Sequence, residues 1–218
     1  MTVVAIVVVT LLAAGVLAYV GYPWWCRRVV TRAEAGAVLP GDELVPDPTT
    51  GYTLATTIAA PPSAIWPWLV QIGQGRGGFY THEWVERALE ADIHNVDYLV
   101  SELQHLEVGD RIRLTPDPYL GRPGQSLVVA RADRNRALVL AQQLPSGGTG
   151  TWAFVLEPIA NNATRLVFRR RGTQPSRFDR IALPGYYYMD RGMLAGLRKR
   201  AEHASARPPP QRATTVHA

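Results

Sequence analysis

TWAFVLEPIANNATRLVFRRRGTQPSRFDRIALPGYYYMDRGMLAGLRKRAEH, residues 151–203, is the stretch whose reading decides the fold. Its hydrophobic period changes once. Over Thr149–Glu157 and Thr164–Arg171 apolar residues alternate, as on a strand, and Asn161-Asn162-Ala163 between them has hairpin-turn chemistry. From about Pro184 to His203 the period becomes helical. Tyr186, Met189, Met193, Leu194, Leu197 and Ala201 share one face, and Tyr188, Arg191, Arg198, Lys199 and Glu202 lie opposite. Asp190 falls in the middle of the apolar face. A lone buried carboxylate is costly, so it needs a partner, a proton or the dipole of a nearby helix start. On the strand 164–171, Leu166, Phe168 and Arg170 point one way, toward the helix. Arg165, Val167, Arg169 and Arg171 point the other way and read as solvated. Arg170 is thus the partner offered to Asp190, either as a structural pair or as two groups that orient a ligand.

The same periods extend upstream. Residues 51–59, GYTLATTIA, alternate with Tyr52, Leu54, Thr56 and Ile58 on one face, a strand. Pro61-Pro62-Ser63 opens a short helix over 64–72, and a second helix runs from Thr81 to about Glu90. A further helix is expected around Val96–Leu103. Strands follow at 110–115, 125–132 and 136–143, the last two joined by Asp133-Arg134-Asn135. Consecutive strands joined by tight turns and closed by one long helix predict an antiparallel α+β domain.

Outward from that domain the composition changes. Val3 to Val20 is an uncharged run of 18 residues, followed by Tyr22, Trp24 and Trp25 and then Arg27, Arg28 and Arg32. As a helix, residues 3–25 would be roughly 34 Å long, enough for a ~30 Å hydrocarbon core. The run lacks a basic leader and a small-residue cleavage site, so it reads as a retained single-pass anchor in the cell membrane. Arginines on its C-terminal flank place the domain in the cytoplasm. The expected organisation is an anchor over 1–26, a linker over 27–50, a domain over 51–203 and a disordered tail over 204–218. The 218 residues are 47% hydrophobic and carry a net charge of +5, which excludes global disorder. With Cys26 as the only cysteine, an internal disulfide and a cysteine-based metal cluster are excluded.

The order of elements, with IAAPPSAIWPWLVQIGQGRGGFY at 58–80 and YYYMDRGMLAGLRKRAEH at 186–203, resembles the SRPBCC (START-like, polyketide cyclase/dehydrase-like) superfamily over roughly residues 51–203. The likeness is to membrane-associated bacterial members without an assigned activity. It implies a helix-grip fold, a curved antiparallel sheet around a long C-terminal helix with a cavity between them. Relatives bind lipids, sterols, polyketides or other apolar molecules, and some are cyclases. The family shares no universal catalytic motif, so no catalytic residue carries over.

Other motifs are weaker. Gly73-Gln74-Gly75-Arg76-Gly77-Gly78 matches the dinucleotide pattern G-x-G-x-x-G but lacks a preceding strand, so it reads as a loop between helices. His82-Glu83-x-x-Glu86 with His94 and Asp97 lacks the spacing of a metal site. Arg169-Arg170-Arg171 splits between two faces, and no basic-aromatic signature marks a nucleic-acid surface. The expectation is a membrane-anchored domain that binds an apolar small molecule or lipid without cofactor, metal or nucleic acid. Trp152, Phe154, Phe168, Arg170, Tyr186, Asp190, Met193 and Leu197 form the pocket. Two alternatives stay open: a cyclase or dehydratase with Asp190 or His94 as acid/base, and a ligand-free interaction module.

Overall fold

A computed structural model describes residues 30–206 apart from 120, 122, 145 and 146. The anchor expected at 3–25 and the tail beyond Ala206 lie outside the described residues. Among those described, no helix is long and apolar enough to cross a membrane. The chain forms α1 (Arg32–Gly36), a 3-10 turn (Asp42–Leu44), β1 (Thr50–Ile58), α2 (Pro62–Val70) and α3 (Glu83–Ala88). After a 3-10 turn (Ser101–Leu103) come β2 (Arg111–Arg113), β3 (Ser126–Asp133), β4 (Ala137–Gln143), β5 (Thr149–Ile159), β6 (Ala163–Gly172) and α4 (Arg177–Ala206).

The strands make one antiparallel sheet in the order β1-β6-β5-β4-β3-β2, so the first strand closes beside the last. β5 and β6 pair from Gly150↔Gly172 to Ile159↔Ala163. Asn161 and Asn162 turn the chain between them at φ +62° and +56°, a conformation asparagine tolerates. Alternation then sorts the strands into two faces. Leu54, Ile58, Leu138, Leu140, Trp152, Phe154, Leu156, Leu166 and Phe168 enter the same core as Met193, Leu194, Leu197 and Ala201 of α4, with Ile65 and Leu69 of α2. A curved antiparallel sheet holding a long C-terminal helix against one face is the helix-grip arrangement.

Two elements depart from expectation. α4 starts at Arg177 rather than near Pro184. Ser176 and Asp179 cap it reciprocally: the Asp179 N–H donates to Ser176 Oγ at 3.1 Å, and the Ser176 N–H donates to Asp179 Oδ2 at 2.9 Å. Pro184 therefore sits inside a helix, where it removes one backbone donor and loosens the turn before it. None of the described side chains from 177 to 186 is buried; the buried stripe begins at Tyr187 and continues through Asp190, Met193, Leu194, Leu197 and Ala201. Around Val96–Leu103 only the 3-10 turn forms. The buried Gln71 side chain holds that segment instead, donating to Tyr98 O at 3.1 Å and accepting from the Val100 N–H at 3.1 Å.

The 73–78 loop follows α2 rather than a strand, and Gly73 and Gly78 exchange backbone hydrogen bonds of 3.0 and 3.1 Å. Gly78 has φ +78°, and a Cβ there would sit 2.5 Å from Asn95 Oδ1, so the turn needs glycine.

The outer face of the sheet corrects the sequence reading. Arg165, Arg169 and Arg171 were expected in solvent, yet residues 30–45 cross that face as a strap and cover them. A small apolar cluster of Leu39, Ala55, Val155 and Val167, with Val30 against it, seats the strap. The arginines then grip it. Arg165 Nε meets Glu34 Oε1 at 2.6 Å, and Arg171 Nη1 donates to the carbonyls of Asp42 and Val45 at 3.1 Å each. Arg169, only 5% exposed, donates to Asp42 Oδ2, to the carbonyls of Glu34, Ala35 and Ala37, and to Thr53 Oγ1. The alternation placed these side chains on the correct face; what it could not show is that another part of the chain lies over them.

Candidate functional site

On the inner face, strand alternation brings Trp152 and Phe154 of β5 beside Phe168 and Arg170 of β6. Helical spacing brings Asp190, Met193 and Leu197 of α4 onto the same interior. Phe154 and Phe168 lie 4.9 Å apart by ring centroid, and Trp152 meets Phe168 edge-on at 5.9 Å. Phe154, Phe168 and Leu197 are fully buried and Met193 is 1% exposed. That end of the interior is filled by side chains.

The other end is polar. Arg170 Nε lies 3.2 Å from Asp190 Oδ2. The Tyr52 hydroxyl of β1 donates to the same Asp190 oxygen at 2.5 Å. The Arg170 guanidinium carbon sits 4.5 Å from the Trp152 ring centre and 5.0 Å from that of Tyr186, between two negative ring faces. Tyr187 packs edge-on against Tyr52 at 5.5 Å. Arg170 Nη1 makes no hydrogen bond to any described residue, and the side chain keeps 18% of its exposure. Asp190 thus faces the Nε–Nη2 edge, with a hydrogen bond from Nη2 at 3.5 Å and none from the buried Nε, while Nη1 has no acceptor among the described residues.

Burial sets the charge states of the pair. It pushes the Asp190 carboxyl above the usual carboxylate range, against the pull of Arg170 and of the Tyr52 hydroxyl. Burial is the largest influence on Arg170 and opposes its charge, but Asp190, Tyr52 and Tyr186 together hold that guanidinium above its ordinary value. The arrangement can hold one polar or anionic group against Arg170, with an apolar body among the rings. Tyr52 was not among the expected site residues. Its signal was present, since it shares the inward face of β1 with Leu54 and Ile58, but nothing in the sequence showed that it reaches Asp190.

The remaining candidates disperse. His94 is exposed on the loop after α3, with its Nε2 3.3 Å from Asp92 Oδ1, and is not brought to Asp190. His82 occupies the N-cap position of α3 without a side-chain capping hydrogen bond and stacks on Tyr188 at 4.3 Å. Among the described residues no group of three or more His, Cys, Asp or Glu side chains could hold a metal ion. Two surface hollows, of about 800 and 610 Å³, flank the strap. The first is lined by Leu39, Pro62, Val155 and Pro158, the second by Ala37, Thr53, Arg169 and Arg171. Neither lies between the sheet and α4, where the sequence reading expected the cavity.

No protein-family model matches the sequence and no curated protein matches it. Solved structures with a similar chain path include protein CV1439 from Chromobacterium violaceum, at 15% identity and a TM-score of 0.46, covering 70% of this chain and 97% of that one. The Aha1 dimer from Colwellia psychrerythraea is 15% identical with a TM-score of 0.43 over 71% and 97%. Protein MLL2253 from Mesorhizobium loti is 19% identical with a TM-score of 0.42 over 71% and 98%. The helix-grip description rests on this chain's own strand order and helix placement.

Proposed function

We propose that this helix-grip domain, held at the cell membrane by residues 3–25 with the domain in the cytoplasm, binds an apolar small molecule or lipid that carries one polar group. The observation that supports this is the Arg170–Asp190 pair. A largely apolar interior contains a guanidinium framed by Trp152 and Tyr186, whose Nη1 has no acceptor among the described residues. Phe154, Phe168, Met193 and Leu197 supply the apolar wall. Burial of ligand surface there is worth about 25 cal/mol per Å². Since the wall is closed in this structure, ligand entry requires movement. The first turns of α4 bury no described side chain and lie before Pro184, which removes a backbone hydrogen bond, so they are the part that opens most cheaply.

Native mass spectrometry of the detergent-extracted full chain tests this reading directly. A co-purified apolar molecule that is lost on Arg170→Met, with folding checked by circular dichroism, supports it. Absence of any bound molecule, together with no uptake of an apolar fluorophore, sinks it. The closed interior itself favours a second reading, a ligand-free interaction module, and that negative result would put this second reading ahead.

A further inference from the structure

α4 has an outer face that the Arg170 site does not use. Its exposed side chains include Arg177, Arg180, Ile181, Tyr188, Arg191, Arg198 and Lys199, five of them cations and none an acid. The half-buried acids of the helix are already engaged: Asp179 caps through Ser176, and Glu202 accepts the Ala59 N–H at 3.0 Å. Arg177, Arg180, Arg198 and Lys199 form no ion pair with any described residue. A solvated helix face usually interleaves charges, because opposite signs three or four residues apart attract and like signs repel. From 177 to 199 this face runs about 33 Å with one sign only. Repulsion along it is relieved by an anionic surface of similar extent.

Nucleic acid and an anionic bilayer both offer such a surface, and the apolar residues choose between them. Ile181 is 73% exposed and Tyr188 46%, both on the basic face. Trp84 is 63% exposed, two residues after His82, whose ring stacks on Tyr188. An exposed isoleucine gains nothing from a phosphodiester groove. Isoleucine, tyrosine and tryptophan beside arginines are the side chains that settle into the headgroup zone. We infer that the outer face of α4, with Trp84, docks on an anionic lipid bilayer. The strap crosses the opposite face of the sheet, so this docking face points away from Val30. A chain anchored through residues 3–25 would therefore use it on a second bilayer.

The test uses the full chain in neutral phosphatidylcholine nanodiscs, mixed with separate vesicles and analysed by flotation. Phosphatidylserine-rich vesicles are expected to be captured about tenfold more than pure phosphatidylcholine vesicles, with capture falling as salt rises. The double variant Arg198→Glu, Lys199→Glu should lose that preference while its circular dichroism is unchanged, since both side chains are exposed. Ile181→Asn should weaken capture and leave its salt dependence intact. Equal capture of both vesicle types, or capture unchanged in the double variant, overturns the inference. Saturable oligonucleotide binding by a chain that ignores phosphatidylserine vesicles also overturns it and assigns the face to nucleic acid.

Discussion

Arg169 and Arg170 are neighbours on β6 and lie on opposite faces of the sheet, each beside an aspartate. Arg169 meets Asp42 at 2.6 Å under the strap, and Arg170 meets Asp190 at 3.2 Å under α4. The environments differ in how completely they satisfy the guanidinium. Arg169 has five hydrogen bonds from Nε, Nη1 and Nη2, most of them to backbone carbonyls. Arg170 has one carboxylate and two ring faces, and its Nη1 has no acceptor among the described residues. The first arginine is a clamp that closes a strap. The second retains capacity to bind something else.

The largest effect that would break this comparison is on the strap side. Arg169→Met removes one member of a buried pair and leaves Asp42 and several carbonyls without their donor. The expected cost is about 3–5 kcal/mol, read as a shift of the denaturant midpoint. Asp42→Ala should cost a similar amount, and the two should be strongly non-additive in a double-mutant cycle. A loss near zero for both would mean that the strap is not part of the folded core.

This clamp was illegible in the sequence for a physical reason. Arg169 and Asp42 are 127 residues apart, and both residue types ordinarily belong to solvent. Periodicity reports which face of a strand a side chain leaves from, and nothing about what covers that face. The inner site was more legible because Phe168, Arg170, Asp190 and Leu197 interrupt or continue apolar periods that must meet. Even so, the expected open cavity is occupied by Phe154, Phe168, Met193 and Leu197 themselves. A two-residue or 3.6-residue period marks an apolar wall equally well whether the wall is lined or filled.

Arg170→Met should cost less stability than Arg169→Met, because the abandoned Asp190 can take a proton. Asp190 already titrates above the usual carboxylate range, chiefly through burial. Without Arg170 it shifts further up. A buried acid with a raised value favours the folded state while protonated and destabilises it once pH exceeds the unfolded value. The penalty of Arg170→Met should therefore be small near pH 4 and grow toward about 2 kcal/mol at pH 8. A penalty independent of pH would show that Asp190 is not desolvated.

Tyr52→Phe sharpens the inner site on a smaller scale. It deletes the hydroxyl that donates to Asp190 while keeping the ring against Tyr187, and should cost about 1 kcal/mol. The loss should shrink in the Asp190→Asn background, where a neutral amide accepts less strongly.

The smallest effect concerns Glu34, the outermost tie of the strap, and it separates the two faces by pH range. The hydrogen bond from Arg165 holds its carboxyl down at about 2, against the opposing effect of burial, with the Thr31 cap helping. A depressed carboxylate contributes stability that is complete above the unfolded value of about 4.5 and is lost as pH falls through about 2. The Arg165–Glu34 pair is partly exposed, at 22% and 17% of side-chain area, so solvent screens it and Glu34→Gln should cost only about 0.5–1 kcal/mol at pH 7. Between pH 4.5 and 2 the difference between wild type and Glu34→Gln should vanish. Arg170→Met moves in the same direction over a different range, since its penalty rises with pH from about 4 upward. Thermal melts of the two variants against wild type at pH 2.5, 4, 6 and 8 would show curves that converge with it at the acid end for both. They would separate at different rates: Glu34→Gln would level off by about pH 5, while Arg170→Met would continue to fall. If Glu34→Gln instead diverged from wild type as pH dropped, the carboxylate would not be what Arg165 holds, and the strap would owe its place to Arg169 and Arg171 alone.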